Sequence, residues 1–169
     1  MVCMRKPRKA NPRICSIDAA LKVVGEKWAL VALREISFGQ RRFDDIALNT
    51  GAPRDILTTR LKSLEGAGIV RRQLYQEHPA RYEYYLAEAG EQLYALLHAL
   101  RDWGDRFARN DPENIVAFRH SCGATLQVET CCAACGEPLA PGDVTGDRDV
   151  RRSDLVATGV AGGDPRVSR

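Results

Sequence analysis

Between Arg41 and Glu65 the chain encodes two short amphipathic helices with only a few residues between them, and few folds accommodate that arrangement. The first covers Arg41-Arg42-Phe43-Asp44-Asp45-Ile46-Ala47-Leu48, with Phe43, Ile46 and Ala47 inward. It stops at Asn49-Thr50-Gly51, where the glycine supplies the tight turn. Pro53 suits the first position of the next helix, because its missing N–H would have no partner there anyway. That helix runs to about Glu65, buries Leu57, Leu61 and Leu64, and ends at Gly66 and Gly68. A helix, a glycine-containing turn and a second helix make the helix-turn-helix pattern.

Two strand-like runs follow. Ile69 to Tyr75 is rich in β-formers, and Arg81 to Leu86 alternates, placing Tyr82, Tyr84 and Leu86 on one face. Residues 76–80 join them as a loop, so a hairpin, or wing, directly follows the second helix. Upstream, Ile17, Leu21, Val24, Trp28 and Val31 recur at helical spacing, with Ser16 placed to cap the start. Gly25 either divides this stretch into two helices or weakens a single one. Downstream the chain returns to helix from about Ala87 to Arg109, and Asp111-Pro112 breaks it. The expected fold is mainly α with a β-hairpin wing: a winged helix-turn-helix, followed by a small Cys/His module.

Charge adds little by its total and more by its distribution. Lys and Arg outnumber Asp and Glu by 25 to 22, a net charge of +3, too weak by itself to imply nucleic acid. Residues 1–14, however, carry Arg5, Lys6, Arg8, Lys9 and Arg13 and no acid. They read either as a solvated arm or as one that neutralises phosphate near a duplex. No apolar stretch of signal-peptide length follows that basic start, so a cytosolic protein is expected. The cysteines agree, because Cys122, Cys131, Cys132 and Cys135 are clustered rather than spread as a disulfide framework would be. Residues 143–169 have few large apolar side chains and read as a disordered tail.

On the second helix of the motif the face opposite the leucines carries Arg54, Asp55, Thr58, Thr59 and Lys62. An α-helix fits the major groove of DNA, where arginine pairs bidentately with guanine and threonine offers a hydroxyl and a methyl to base edges. Arg54, near the helix start, is the expected base reader. Arg60 lies at the edge of the leucine stripe and reads as a phosphate contact or as the partner of an acid. Arg42 and Arg81 are phosphate or minor-groove candidates. In the last helix Leu93, Leu100 and Phe107 fall seven apart, with Leu96 beside them. Such a seam suits a homodimer interface, or packing against the first helices, or both.

Taken in order, Cys15, Gly25-Glu26-Lys27-Trp28, Leu33-Arg34-Glu35, Arg42-Phe43, Leu57-Thr58-Thr59-Arg60-Leu61-Lys62-Ser63-Leu64-Glu65, Gly68-Ile69-Val70 and Tyr82-Glu83-Tyr84 resemble the HxlR family of bacterial regulators, relatives of the MarR family. The resemblance covers roughly residues 15–107, within a domain read as 15–110. It implies a regulator of double-stranded DNA, usually homodimeric through its terminal helices, with wings flanking the operator. It also implies that Cys15 matches an N-terminal cysteine that senses oxidants in some members; the alternative is a small buried apolar residue. The chain departs from the family at Ala52, where serine is usual before the recognition helix, and at Ala87, where threonine is usual before the last one. Each departure removes a capping hydroxyl, at about 1 kcal/mol.

Residues 114–142 hold His120-Ser121-Cys122-Gly123 and Cys132-Ala133-Ala134-Cys135-Gly136. Cys-x-x-Cys-Gly is a good zinc knuckle, and His120, Cys122, Cys132 and Cys135 would make one tetrahedral structural site per chain. Cys131 is a competing ligand, and a metal-free ribbon or a thiol redox pair are the other readings. No paired carboxylates, nucleophile–base set or phosphate loop suggests an enzyme. The expected function is a sequence-specific transcriptional regulator acting as a homodimer on a two-fold operator, tuned by oxidation, by a small-molecule effector or by neither. The rival is a winged-helix protein-interaction module.

Overall fold

The computed structural model describes residues 15–145. The basic arm of residues 1–14, with Cys3, and most of the expected tail lie outside the described residues. The chain falls into two compact units, divided between Val128 and Glu129.

The first unit is built on helix α2, Lys27–Ser37. Ala29, Ala32, Leu33 and Ile36 project from one side of it at helical spacing and are fully or almost fully buried. The two alanines leave room for neighbours to come close. Helix α1, Ser16–Val24, precedes it, so the stretch around Gly25 is two helices. Cys15, not Ser16, occupies the cap position, and no side chain caps the helix; Ser16 is its first helical residue. Helix α3, Phe43–Thr50, contributes Ile46 to the core. It ends at Gly51 with φ 67°, a left-handed turn that side chains with a Cβ rarely adopt. Helix α4, Arg54–Gly66, buries Leu57, Leu61 and Leu64 as its spacing predicts. Pro53 stands at its cap rather than within its first turn. Ala52 therefore lies one residue before the cap and is buried in the core, so its methyl replaces no capping hydroxyl. Ala87 is different: it caps the next helix with no side-chain hydrogen bond, as the departure from the family pattern predicts.

Strands β1, Val70–Gln76, and β2, Arg81–Leu86, form the antiparallel hairpin. Val70 pairs with Leu86, Arg72 with Tyr84 and Leu74 with Tyr82, with an irregularity between Leu74 and Gln76. The Tyr84 N–H donates to the Arg41 carbonyl at 2.8 Å, and Arg42 bridges Glu83, so the wing is fastened to the start of α3. Tyr84 and Leu86 pack on the core as their alternation predicts. Glu35, a buried carboxylate, accepts from Asn49 at 3.0 Å and from Arg34 at 2.8 Å, tying α2 to the end of α3.

The expected long helix from Ala87 to Arg109 is interrupted. Helix α5 covers only Glu88–Glu91, and α6 resumes at Tyr94–Phe107. Helix α5 itself is seated by close approach: a Cβ on Gly90 would stand 2.3 Å from the Ile69 carbonyl oxygen, which already accepts the Ala87 N–H at 2.9 Å. Beyond α6 a single 3-10 turn occupies Pro112–Asn114. Among the described residues no helix is long and apolar enough to cross a membrane.

Gly90→Ala and Gly66→Ala make a test in which helix propensity and packing point in opposite directions. Propensity favours alanine at both by up to about 1 kcal/mol. At Gly66 nothing lies within 4 Å of the added methyl, whereas at Gly90 it meets backbone. Urea unfolding should show Gly66→Ala neutral or stabilising and Gly90→Ala destabilising by about 1–3 kcal/mol. Equal effects would remove the close approach at Ile69.

Candidate nucleic-acid interface

With three leucines turned inward, α4 presents Arg54, Asp55, Thr58, Thr59 and Lys62 outward, all exposed. Thr58 donates its hydroxyl proton to the Arg54 carbonyl at 2.7 Å, and Thr59 does the same to Asp55 at 2.9 Å. Both hydroxyls keep acceptor lone pairs. Arg54 lies 2.8 Å from Asp44 and stacks over Phe43, 4.8 Å from the ring centre. Both members of the ion pair are exposed, so it is worth at most about 1 kcal/mol and is readily exchanged for a stronger partner.

Arg60 does not share this face. Its guanidinium donates to Glu26 at 3.1 Å, tying α4 to the α1–α2 junction. Of the two roles open to it from sequence, the structure shows the acid partner. Arg42 stacks over Tyr75 and lies 3.5 Å from Glu83. Arg81 opens β2 and is exposed. Arg42, Arg54 and Arg81 come together around a polar cleft of 440 Å³ between α3, the start of α4 and the wing, with Asp44, Tyr75 and Tyr82 also in its lining.

The wing carries more cation than sequence reasoning assigned to it. Arg41 and Arg71 both lie 4.6 Å from the centre of the Tyr85 ring, and Arg72 lies over Tyr82 and 2.9 Å from Glu65. The signal was present as paired arginines in one strand opposite a tyrosine-rich partner, since cross-strand neighbours interact. A hydrogen bond to Glu83 holds the Tyr85 hydroxyl above its ordinary pKa, followed by burial. The phenol therefore stays a neutral donor.

Cys15 is exposed, not a buried packing residue. Of the lysines near it in sequence, Lys22 is paired with Asp18 at 2.7 Å and Lys27 lies over Trp28. Leu93, at the cap of α6, and Leu97 within it pack against the core of their own chain. Leu96, Leu100, Trp103 and Phe107 remain exposed, Phe107 by 70%, and Ile17 and Leu21 of α1 are exposed as well.

The cysteine segments form two turns, one in each compact unit. In the first unit Gly123, at φ 92°, closes a turn in which its N–H donates to the His120 carbonyl. The Ala124 amide, and then the His120 side chain, hold the Cys122 thiol below its ordinary pKa. In the second unit Gly136, at φ 79°, donates to the Cys132 carbonyl at 2.7 Å. The amides of Ala134 and Cys135 lower the Cys132 pKa. Each turn thus holds one cysteine whose thiol is below its ordinary pKa. Within neither unit, among the described residues, do three or more His, Cys, Asp or Glu side chains converge as a metal cluster.

Comparison with known proteins agrees with this geometry. The HxlR-like helix-turn-helix family profile matches residues 23–112. The chain is 40% identical over 131 residues to the uncharacterized HTH-type transcriptional regulator Rv3095 of Mycobacterium tuberculosis, covering 77% of this chain and 83% of that one. It is 35% identical over 97 residues to an uncharacterized HTH-type transcriptional regulator of Methanothermobacter thermautotrophicus, covering 56% and 72%. Among solved structures it is similar to PA1607, with a TM-score of 0.71 and 28% identity over 80% of this chain and 96% of that one. It is also similar to the redox regulator HypR in its oxidized form, with a TM-score of 0.52 and 29% identity over 56% and 99%. With the helix-turn-helix, the wing and the family profile coinciding on one unit, the chain belongs to the HxlR-like helix-turn-helix family and is a DNA-binding transcriptional regulator, not an enzyme.

Proposed function

We propose that the protein acts as a homodimer on a two-fold operator, with α4 in the major groove and the wing along the flanking backbone. The observation that carries this reading is the exposed polar face of α4 standing beside a wing rich in arginine. One recognition helix makes few contacts, so two half-sites are needed for useful affinity, and operator symmetry then mirrors protein symmetry. The exposed apolar side chains of α6, together with Ile17 and Leu21 of α1, support a second copy as the partner.

Arg54 is assigned base readout. Leaving Asp44 costs it little, while a bidentate contact to guanine is worth about 1–3 kcal/mol. Against a site mapped by genome-wide binding, Arg54→Ala should lose about that much and relax preference at one position. Lys62→Ala and Arg81→Ala should weaken all duplexes evenly and reduce the salt slope by about 1. Unchanged affinity and preference in Arg54→Ala would move the reading face elsewhere.

Leu100→Glu would place a charge in the proposed dimer seam, which is costly without a partner. Sedimentation should show a monomer where the parent protein is a dimer. A folded Leu100→Glu protein that remains dimeric would exclude this face as the interface.

A structural zinc held by His120, Cys122, Cys132 and Cys135 is part of the same proposal. Its support is the pair of glycine-closed turns, each with a cysteine whose thiol is held below its ordinary pKa. When bound, zinc would supply folding energy to a segment with little apolar material of its own. Elemental analysis of untagged protein should give close to one zinc per chain, lost in Cys132→Ser. Metal-free protein whose spectra are unchanged by a chelator would refute it.

A further inference from the structure

The outward face of α4 opens with a hydrogen-bond donor, Arg54, but the groups that follow it are of the opposite kind. Asp55 comes next, exposed and in the first turn. Its neighbours' charges are engaged elsewhere, Arg54 with Asp44 and Arg60 with Glu26, and among the described residues Asp55 is in no ion pair. An ionised carboxylate only accepts hydrogen bonds. Thr58 and Thr59 follow three and four residues on, so the three side chains are neighbours on the helix surface.

Each threonine hydroxyl has one proton, and both protons are spent on the preceding turn, on the Arg54 carbonyl at 2.7 Å and the Asp55 carbonyl at 2.9 Å. Turning a proton outward gives up that bond. Accepting a proton from outside keeps it and adds a second. Toward an approaching partner the threonines therefore offer oxygen lone pairs and γ-methyls. The stretch from Asp55 to Thr59 has acceptors at three positions and no side-chain donor to spare.

This chemistry restricts what the helix can face. A phosphate repels Asp55, so the carboxylate belongs over a base edge, and there only on a donor. In the major groove the donors are the exocyclic amino groups, N4 of cytosine and N6 of adenine, whereas guanine presents N7 and O6, both acceptors. An adenine–thymine pair also sets the thymine methyl beside the adenine amino group, which matches a threonine oxygen beside its methyl.

We infer that Asp55, Thr58 and Thr59 form an acceptor surface that selects bases by their amino groups, cytosine at Asp55 and adenine at the threonines, and rejects guanine there. The inference rests on the placement of α4 in the major groove proposed above, and adds to it which bases stand beside the guanine assigned to Arg54.

The test uses full-length protein and an operator duplex found by genome-wide binding, with affinities read by fluorescence anisotropy at fixed salt. Each adenine is replaced in turn by 2-aminopurine, which still pairs with thymine but carries its amino group in the minor groove. At one or more adenines of each half-site this should weaken binding about fivefold or more, while 2,6-diaminopurine, which keeps the major-groove amino group, changes it less than about twofold. The loss should vanish in a Thr58→Val, Thr59→Val protein, which keeps the shape and the methyls without the oxygens. Asp55→Asn, which adds amide donors, should reduce the preference for cytosine over guanine at one position by about tenfold. All three side chains are exposed, so thermal midpoints should stay close to that of the parent. An operator that loses affinity in Arg54→Ala, yet tolerates 2-aminopurine at every adenine and keeps its base preferences in Asp55→Asn, overturns the acceptor surface alone. A parent protein that binds all duplexes alike overturns it together with the operator reading.

Discussion

Every part of the DNA-binding unit depends on the burial of helix α2. Its inward side is made of two alanines, a leucine and an isoleucine, all almost completely removed from water. The alanines let α3 and α4 approach its backbone closely, and Leu33 and Ile36 fill the space between them. Close packing of that kind transmits position as well as stability, because a core at crystal-like density leaves no room for α4 to slide. The buried Glu35 adds direction. Its two oxygens are taken by Asn49 at the end of α3 and by Arg34 on its own helix, so a carboxylate that would be costly alone becomes a pin between two elements.

The exposed surface follows a different economy. Its arginines are held loosely, on tyrosine or phenylalanine rings and on solvated carboxylates. Such contacts order a long side chain without binding it strongly. A surface of this kind keeps its cations spread and oriented, each in a contact that is weak enough to exchange. Arg60 is the counterexample. Bonded to Glu26 at the α1–α2 junction, it ties α4 to its neighbours rather than joining the exposed set.

Much of this was legible from residue spacing. The leucine stripe of α4, the break near Gly25, the hairpin from 70 to 86 and the outward set Arg54, Asp55, Thr58, Thr59 and Lys62 all follow from periodicities of 3.6 and 2, because those periods are imposed by local backbone geometry. What periodicity could not resolve were features that depend on neighbours distant in the chain. Ser16 looks like a cap until the helix is seen to begin on it. Ala52 looks like a lost cap until it is found in the core. Leu93 and Leu100 share a heptad, yet the break after α5 turns Leu93 inward and leaves Leu100 exposed.

The sequence by itself therefore determined the order and kind of the elements and the face each one buries. These are set by the hydrophobic spacing within a dozen residues. Only the tertiary structure decided which charged side chains are free to act. Whether Arg54 or Arg60 meets a carboxylate, a ring or nothing depends on residues brought close by packing, and a few ångströms separate a satisfied donor from an idle one.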